Sequence, residues 1–281
     1  FSFAKRLSEK KLSIGHLLNW YENQGTDRGW NLGFRQHFPE AKKFAYFTGT
    51  ADRYHLSLSP LPSERLAGLQ PDCLFTPILH FISQYRKWDS SLVAKKTGSF
   101  RFPTIPLPKN TPRNRLQVFV PLPFDHALCE HLIKRIRVFS EATRENLFWS
   151  IKSHPATSSK NLKEHIDAFS KEKFRWSKAS LEDEFSNCDF VLSCWTSCIM
   201  EAVEIGIPTG VLRGPDGLFH SPIPPGIADQ LQVEIDCVES FKDLLKVVRE
   251  NSLEKTSSSL LEPPSRSHAL KLLNLYSPQA A

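Results

Sequence analysis

No stretch of this chain approaches the roughly 20 consecutive apolar residues that cross a bilayer, and no charged start followed by an apolar centre marks a secretory signal. A cytoplasmic location is therefore expected. The sequence also lacks paired cysteines. Cys73, Cys129, Cys188, Cys194, Cys198 and Cys237 form no CxxC motif and have no histidine at zinc-site spacing, so they read as reduced, mostly buried thiols, and no metal is expected. Dense basic runs are missing as well. Lys plus Arg exceed Asp plus Glu by 36 to 30, a net charge of +6 spread along the chain without interleaved aromatics, so nucleic acid is not an expected partner. There is no internal repeat and no low-complexity tract beyond a Ser-rich tail.

What remains is the composition of a packed protein. The 281 residues are 40% hydrophobic and 23% charged, which suits a soluble globular chain of two domains. Residues 101–115, RFPTIPLPKNTPRNR, contain four prolines that rule out a regular helix or central strand, and a domain linker is placed there. The expected division is an N-terminal α/β domain over residues 1–112, a Rossmann-like domain over 113–250, and a tail over 251–281. That tail ends in the short apolar stretch ALKLLNLY, read as a helix.

After the linker, apolar runs alternate with amphipathic ones. LQVFVPL from Leu116, an amphipathic run from Asp125 to Phe139, and LFWSIKSHP from Leu147 read as strand, helix and strand. A polar helical stretch over 160–170, a short FRWS strand, a helix start at Ser180 with Asp183 at capping-box spacing, the strand DFVLSC, a helix TSCIMEAVEIG starting near Thr196 and the strand TGVL follow. This order predicts right-handed crossovers and a doubly wound parallel sheet. The first 100 residues show the same alternation less clearly, with strands FAYFTG and CLFTPIL and helical stretches over 26–37 and 63–69, and read as an incomplete α/β domain.

Ligands of parallel sheets bind beyond the carboxyl ends of the strands, which directs attention to two places. Lys152, Ser153, His154 and Pro155 follow LFWSI, and Pro155 ends the strand with an ammonium and an imidazole that can both donate to a phosphate. An ordinary surface loop explains them equally well. Ser193, Thr196 and Ser197 follow DFVL and lead into a helix whose N-terminus and hydroxyls suit a phosphate without a glycine loop, although a plain N-cap is the alternative. Glu201, one turn on, could accept from a ribose or merely favour the helix dipole. Asp125 and His126 also fall at a strand end, with Asp125 reading more simply as an N-cap.

Together LQVFVPLP, KSHP and DFVLSCWTSCIMEAVEIGIP resemble the nucleotide-binding half of GT-B glycosyltransferases of bacterial surface polysaccharide synthesis. The resemblance covers most of residues 116–241. In style it is similar to transferases using CMP-activated acidic sugars, the sialyl and Kdo transferases, in which an HP motif and a later Ser/Thr pair hold the CMP portion. His154 with Pro155, and Thr196 with Ser197, match those motifs. WYENQGTDRGWNLGFRQHFPEAKKFAYFTG looks like the acceptor-side domain of surface-carbohydrate proteins, with Glu22, Asn23 and Gln24 matching its E-N-Q.

The resemblance implies a GT-B fold of two Rossmann-like domains facing a cleft, and a transferase that uses a nucleotide sugar as substrate and no cofactor. It further implies a glycan or glycolipid acceptor, with peripheral association at the inner membrane. Glu22 is the first choice for the acceptor base and Asp52 the second, and Arg213 and His220 are placed as sugar or base contacts. Two departures stand out: the pair of glutamates seven positions apart found in many retaining GT-B enzymes is absent, since Pro208 stands seven after Glu201, and the N-terminal half is short for the family. A non-catalytic GT-B-like binding protein and an epimerase of the related two-domain type are the competing readings.

Overall fold

The protein is described from a computed structural model, which defines residues 1–47, 59–98, 114–157, 162, 170–223 and 230–251. Asp52, most of the proline-rich segment over 101–115, most of the stretch over 160–170 and the tail after Asn251 lie outside the described residues. The chain divides into two compact units, one containing a four-stranded parallel sheet and the other a six-stranded parallel sheet.

The first unit opens with α1 (Ser2–Glu9), then β1 (His16–Trp20), α2 (Gly25–His37), β2 (Lys42–Tyr46), α3 (Pro62–Leu66), β3 (Cys73–Thr76), α4 (Leu79–Trp88) and β4 (Ala94–Lys96). Neither β1 nor β4 was anticipated from the sequence, because HLLNW and AKK are too short and too mixed to show a period. The strand order β1-β2-β3-β4 follows the chain. Right-handed crossovers in one direction put every connecting helix on one face of such a sheet. The side chains agree, since Phe47 on that face meets Phe81 and Tyr85 of α4 edge-on at 5.2 and 6.2 Å. The opposite face carries Trp20 against Tyr46, and His16, Phe44 and Phe75 in successive ring contacts.

Between the helices and this sheet runs a polar network. Lys43, buried, bonds the carbonyl of Ala41 at 2.5 Å and faces Asp72 at 3.4 Å, while Arg35 holds the other Asp72 oxygen at 3.0 Å. Burial pulls the Lys43 ammonium below its usual range despite Asp72. Asp89, at the end of α4, accepts from Arg65 at 2.9 Å and from Ser91.

The second unit comprises β5 (Leu116–Pro121), α5 (His126–Ala142), β6 (Leu147–Lys152), β7 (Phe174–Trp176), α6 (Leu181–Asn187), β8 (Phe190–Ser193), α7 (Cys198–Glu204), β9 (Thr209–Leu212), β10 (Gln232–Ile235) and α8 (Val238–Asn251). Its order is β10-β9-β8-β5-β6-β7, so the chain winds outward from β5 to β7 and then restarts beside β5 in the other direction. Helices α5 and α8 cover one face through Leu132, Ile136, Phe139, Phe241 and Leu244, packed on Val118, Val120, Trp149 and Phe190. On the other face Phe119 and Val191 are covered by Phe185 of α6 and Ala202 of α7. The expected doubly wound parallel sheet is thus present in this unit, with Ser180 capping α6 by accepting from the Asp183 amide at 3.0 Å.

Candidate functional site

Reversal of strand order creates a topological switch point between β5 and β8. The ladder between these two strands pairs only Val118 with Phe190 and Phe119 with Val191, whereas β5 and β6 pair from Leu116↔Leu147 to Pro121↔Lys152. Pro121 has no amide proton with which to extend the ladder, and the strands are joined beyond it by Ser193, whose buried hydroxyl donates to the Pro121 carbonyl at 2.5 Å. Ser193, expected to meet a phosphate, thus has its hydroxyl engaged by a backbone carbonyl.

Most of the other residues expected in this unit follow the carboxyl ends of its strands. Asp125 caps α5, its carboxylate accepting from the Leu128 amide at 2.9 Å, and His126 faces Glu130 one turn on at 3.3 Å. Both act within α5. Lys152 donates to the carbonyl of Ala179 at 2.5 Å, which ties the end of β6 to the loop after β7 and engages the ammonium expected to meet a phosphate.

His154 is better placed. Its Nδ1 accepts from the Ala156 amide at 3.2 Å, so the proton of the neutral ring lies on Nε2 as a donor. Phe124 packs edge-on against the imidazole at 5.6 Å, and Thr157 bonds the Phe124 carbonyl at 2.9 Å, so the Pro155 turn is laced to the loop after β5.

On the other side of the switch point, α7 begins at Cys198, two residues after Thr196. Thr196 Oγ1 accepts from the Cys198 amide at 3.4 Å, and Ser197 is the N-cap residue in helical conformation. Seven residues long, α7 contributes little dipole, so any anion held here depends on the local amides and hydroxyls. Glu201 is half-buried in this helix and Gly206, at φ 77°, closes it in the left-handed conformation that glycine adopts without strain.

The thiols beside the crevice are packing groups. Burial pushes Cys129 up to about 12 and Cys194 higher still, and their sulfurs contact the carbonyls of Pro123 and Leu128.

After β9, Arg213 stacks on Phe219 at 4.7 Å, approaches Asp236 at 3.5 Å, and its carbonyl contacts His131 of α5 at 3.0 Å. His220 bonds Asp216 at 2.7 Å and lies 5.6 Å from the ring of Trp195. Neither Trp195 nor Phe124 was selected from the sequence, although a bulky aromatic directly after an apolar strand is a visible signal where a turn favours small residues.

Glu22 belongs to the first unit, in the loop from β1 to α2. Its carboxylate accepts from Trp20 Nε1 at 3.1 Å and from Gln24 Nε2 at 2.8 Å, and the adjacent Asn23 is buried at φ 54°. Among the described residues no group of His, Cys, Asp and Glu could hold a metal, and no helix is long and apolar enough to cross a membrane.

No protein-family profile and no curated protein matches the chain. Solved structures do. The UDP-GlcNAc 2-epimerase of Neisseria meningitidis bound to UDP-GlcNAc superposes with a TM-score of 0.64 at 14% identity, over 98% of this chain and 80% of that one. MnaA of S. aureus with UDP gives 0.62 at 15% identity, over 100% and 79%. A GtfA/B complex gives 0.59 at 13%, over 97% and 59%. The fold is of the GT-B type. At these identities the likeness concerns the fold, and it agrees with two parallel Rossmann-type units of which the second contains the GT-B switch point.

Proposed function

We propose that the second unit binds a nucleotide-activated sugar at the β5/β8 switch point and that the chain transfers the sugar to a glycan or glycolipid acceptor. The observation that carries this reading is the switch point itself: a reversal of strand order with His154 after β6 on one side of β5 and Thr196 with Ser197 after β8 on the other. His154 Nε2–H and the turn before α7 would donate to the phosphates, and Glu201 would accept from the ribose. Charge developing on the departing nucleotide would be met by these fixed donors. Glu22 is the proposed acceptor base, with Asp52 the alternative.

The HP and Thr-Ser pairs favour a CMP donor, whereas the UDP in two neighbouring structures favours UDP. A thermal-shift panel of CMP, UDP, GDP and ADP tests the reading. One nucleotide at about 100 times its Kd is expected to add about 2.7 kcal/mol of stability, and His154→Ala to abolish the shift. Absence of a shift with every nucleotide would overturn it.

A second reading is favoured by one observation: an epimerase structure is spanned over 80% of its length, the GtfA/B structure over 59%. An epimerase would interconvert UDP-GlcNAc with no acceptor present, and proton NMR of that mixture separates the two.

A further inference from the structure

Trp195 occupies a position that packing does not explain. It follows β8 at φ 37°, in the left-handed region that costs a non-glycine residue about 1 kcal/mol or more, and its side chain is 40% exposed. A core residue recovers such strain by burial, and this one does not. The indole is instead fixed beside a compact loop. His220 lies 5.6 Å from it at an interplanar angle of 36°, and Asp216 holds His220 by one carboxylate oxygen and the Leu218 amide by the other, at 2.7 and 3.0 Å.

The loop is tightened further by the Gly214 amide bonding the Leu218 carbonyl at 2.8 Å, and a Cβ at Gly214 would stand 2.6 Å from the Asp216 carboxylate, so a larger residue there would displace that carboxylate. The bond from His220 keeps the Asp216 carboxyl below the usual carboxylate range, and so ionised at neutral pH. A flat apolar face is thereby set beside a carboxylate and an imidazole on a pre-ordered loop. This is the chemistry of a pyranose, whose C–H face rests on an aromatic ring while its hydroxyls donate to a carboxylate.

Resting on the nucleotide-sugar reading of the crevice, we infer that Trp195, with His220 and Asp216, is the platform for the sugar ring of the donor and sets the preference for nucleotide sugar over bare nucleotide. The indole takes the apolar face of the ring, Asp216 accepts from its hydroxyls, and His220 holds Asp216 in place. A nucleobase could stack on the same ring, and the two ligands are separated by which part of the donor the ring affects.

Calorimetric titration of the full chain with UDP, UDP-GlcNAc, CMP and CMP-sialic acid tests this, using Trp195→Gly and Trp195→Phe. Trp195→Gly removes the ring and relieves the left-handed φ, so its melting temperature is expected to stay at or above that of the wild type. It should weaken the preferred nucleotide sugar about tenfold and its bare nucleotide less than about twofold, with Trp195→Phe restoring most of the loss. Equal loss for both ligands would assign the ring to the base and overturn the inference, as would no loss for either. Failure of the wild type to bind any of the four would overturn the nucleotide-sugar reading, and this inference with it.

Discussion

The two units are built from the same alternation of strand and helix, yet among the described residues only the second reverses its strand order. In the first, strands follow one another as β1-β2-β3-β4, the crossovers all lie on one face, and each strand end is flanked by its sequence neighbour. In the second, the restart of the chain beside β5 sends α5 to one face and α6 and α7 to the other, and places a switch point between β5 and β8. Reversal of winding accounts for both the two-sided core and the switch point.

Their interiors differ in proportion. The first unit sets Lys43, Arg35, Asp72, Arg65 and Asp89 into charged contacts, whereas the second adds to the pair of buried Glu184 with Arg175, at 3.0 Å, a stack of Phe139 on Phe241 at 4.6 Å with Trp149 beside it at 6.0 Å.

The largest test of that contrast is in the cores. Phe241→Ala should cost about 4 kcal/mol in urea unfolding, because the ring lies among Phe139, Trp149 and Phe190 and leaves a cavity. Phe44→Ala, on the face of the first sheet opposite its crossover helices, should cost about 3 kcal/mol. Equal costs, or the reverse order, would break the comparison.

Next in size is Asp89→Ala, at about 2 kcal/mol, since it strips Arg65 and Ser91 of a buried charged partner. Burial alone would raise the Asp89 carboxyl, but the bonds from Ser91 and Arg65 outweigh it and hold the group below its ordinary value. A carboxyl lowered on folding contributes stability that is fully present above its unfolded pKa and is lost as pH falls through the folded one. Acid unfolding curves of wild type and Asp89→Ala should therefore converge below about pH 4. Curves that stay parallel would remove Asp89 from the acid response.

The smallest effect concerns the crevice. Ser193→Ala deletes the bond across the switch point and should cost about 1 kcal/mol, read as a small drop in melting temperature. A cost near zero would mean that β5 and β8 hold their register without it.

Much of the second unit was legible in the sequence because its strands are continuous apolar runs, LQVFVP, LFWSIK and FVLS, divided by helices whose caps are visible at Asp125 and Ser180. The strands β1 and β4 were not, because an edge strand buries only part of itself: His16, Leu18 and Trp20 are exposed, and AKK is three residues long. Site residues divided in a similar way. The strand-end rule located His154, Thr196 and Ser197 on the rim. It could not show that Lys152 is engaged by Ala179, that Ser193 points inward, or that His220 and Trp195 meet, since each depends on a contact across dozens of positions or between separate loops.

The sequence by itself determined the alternation of elements and the parallel character of the sheets, because hydrophobic period and capping are local properties. Only the tertiary structure decided which strands are neighbours. Strand order results from non-local pairing, and it alone fixes where the winding reverses and the switch point falls.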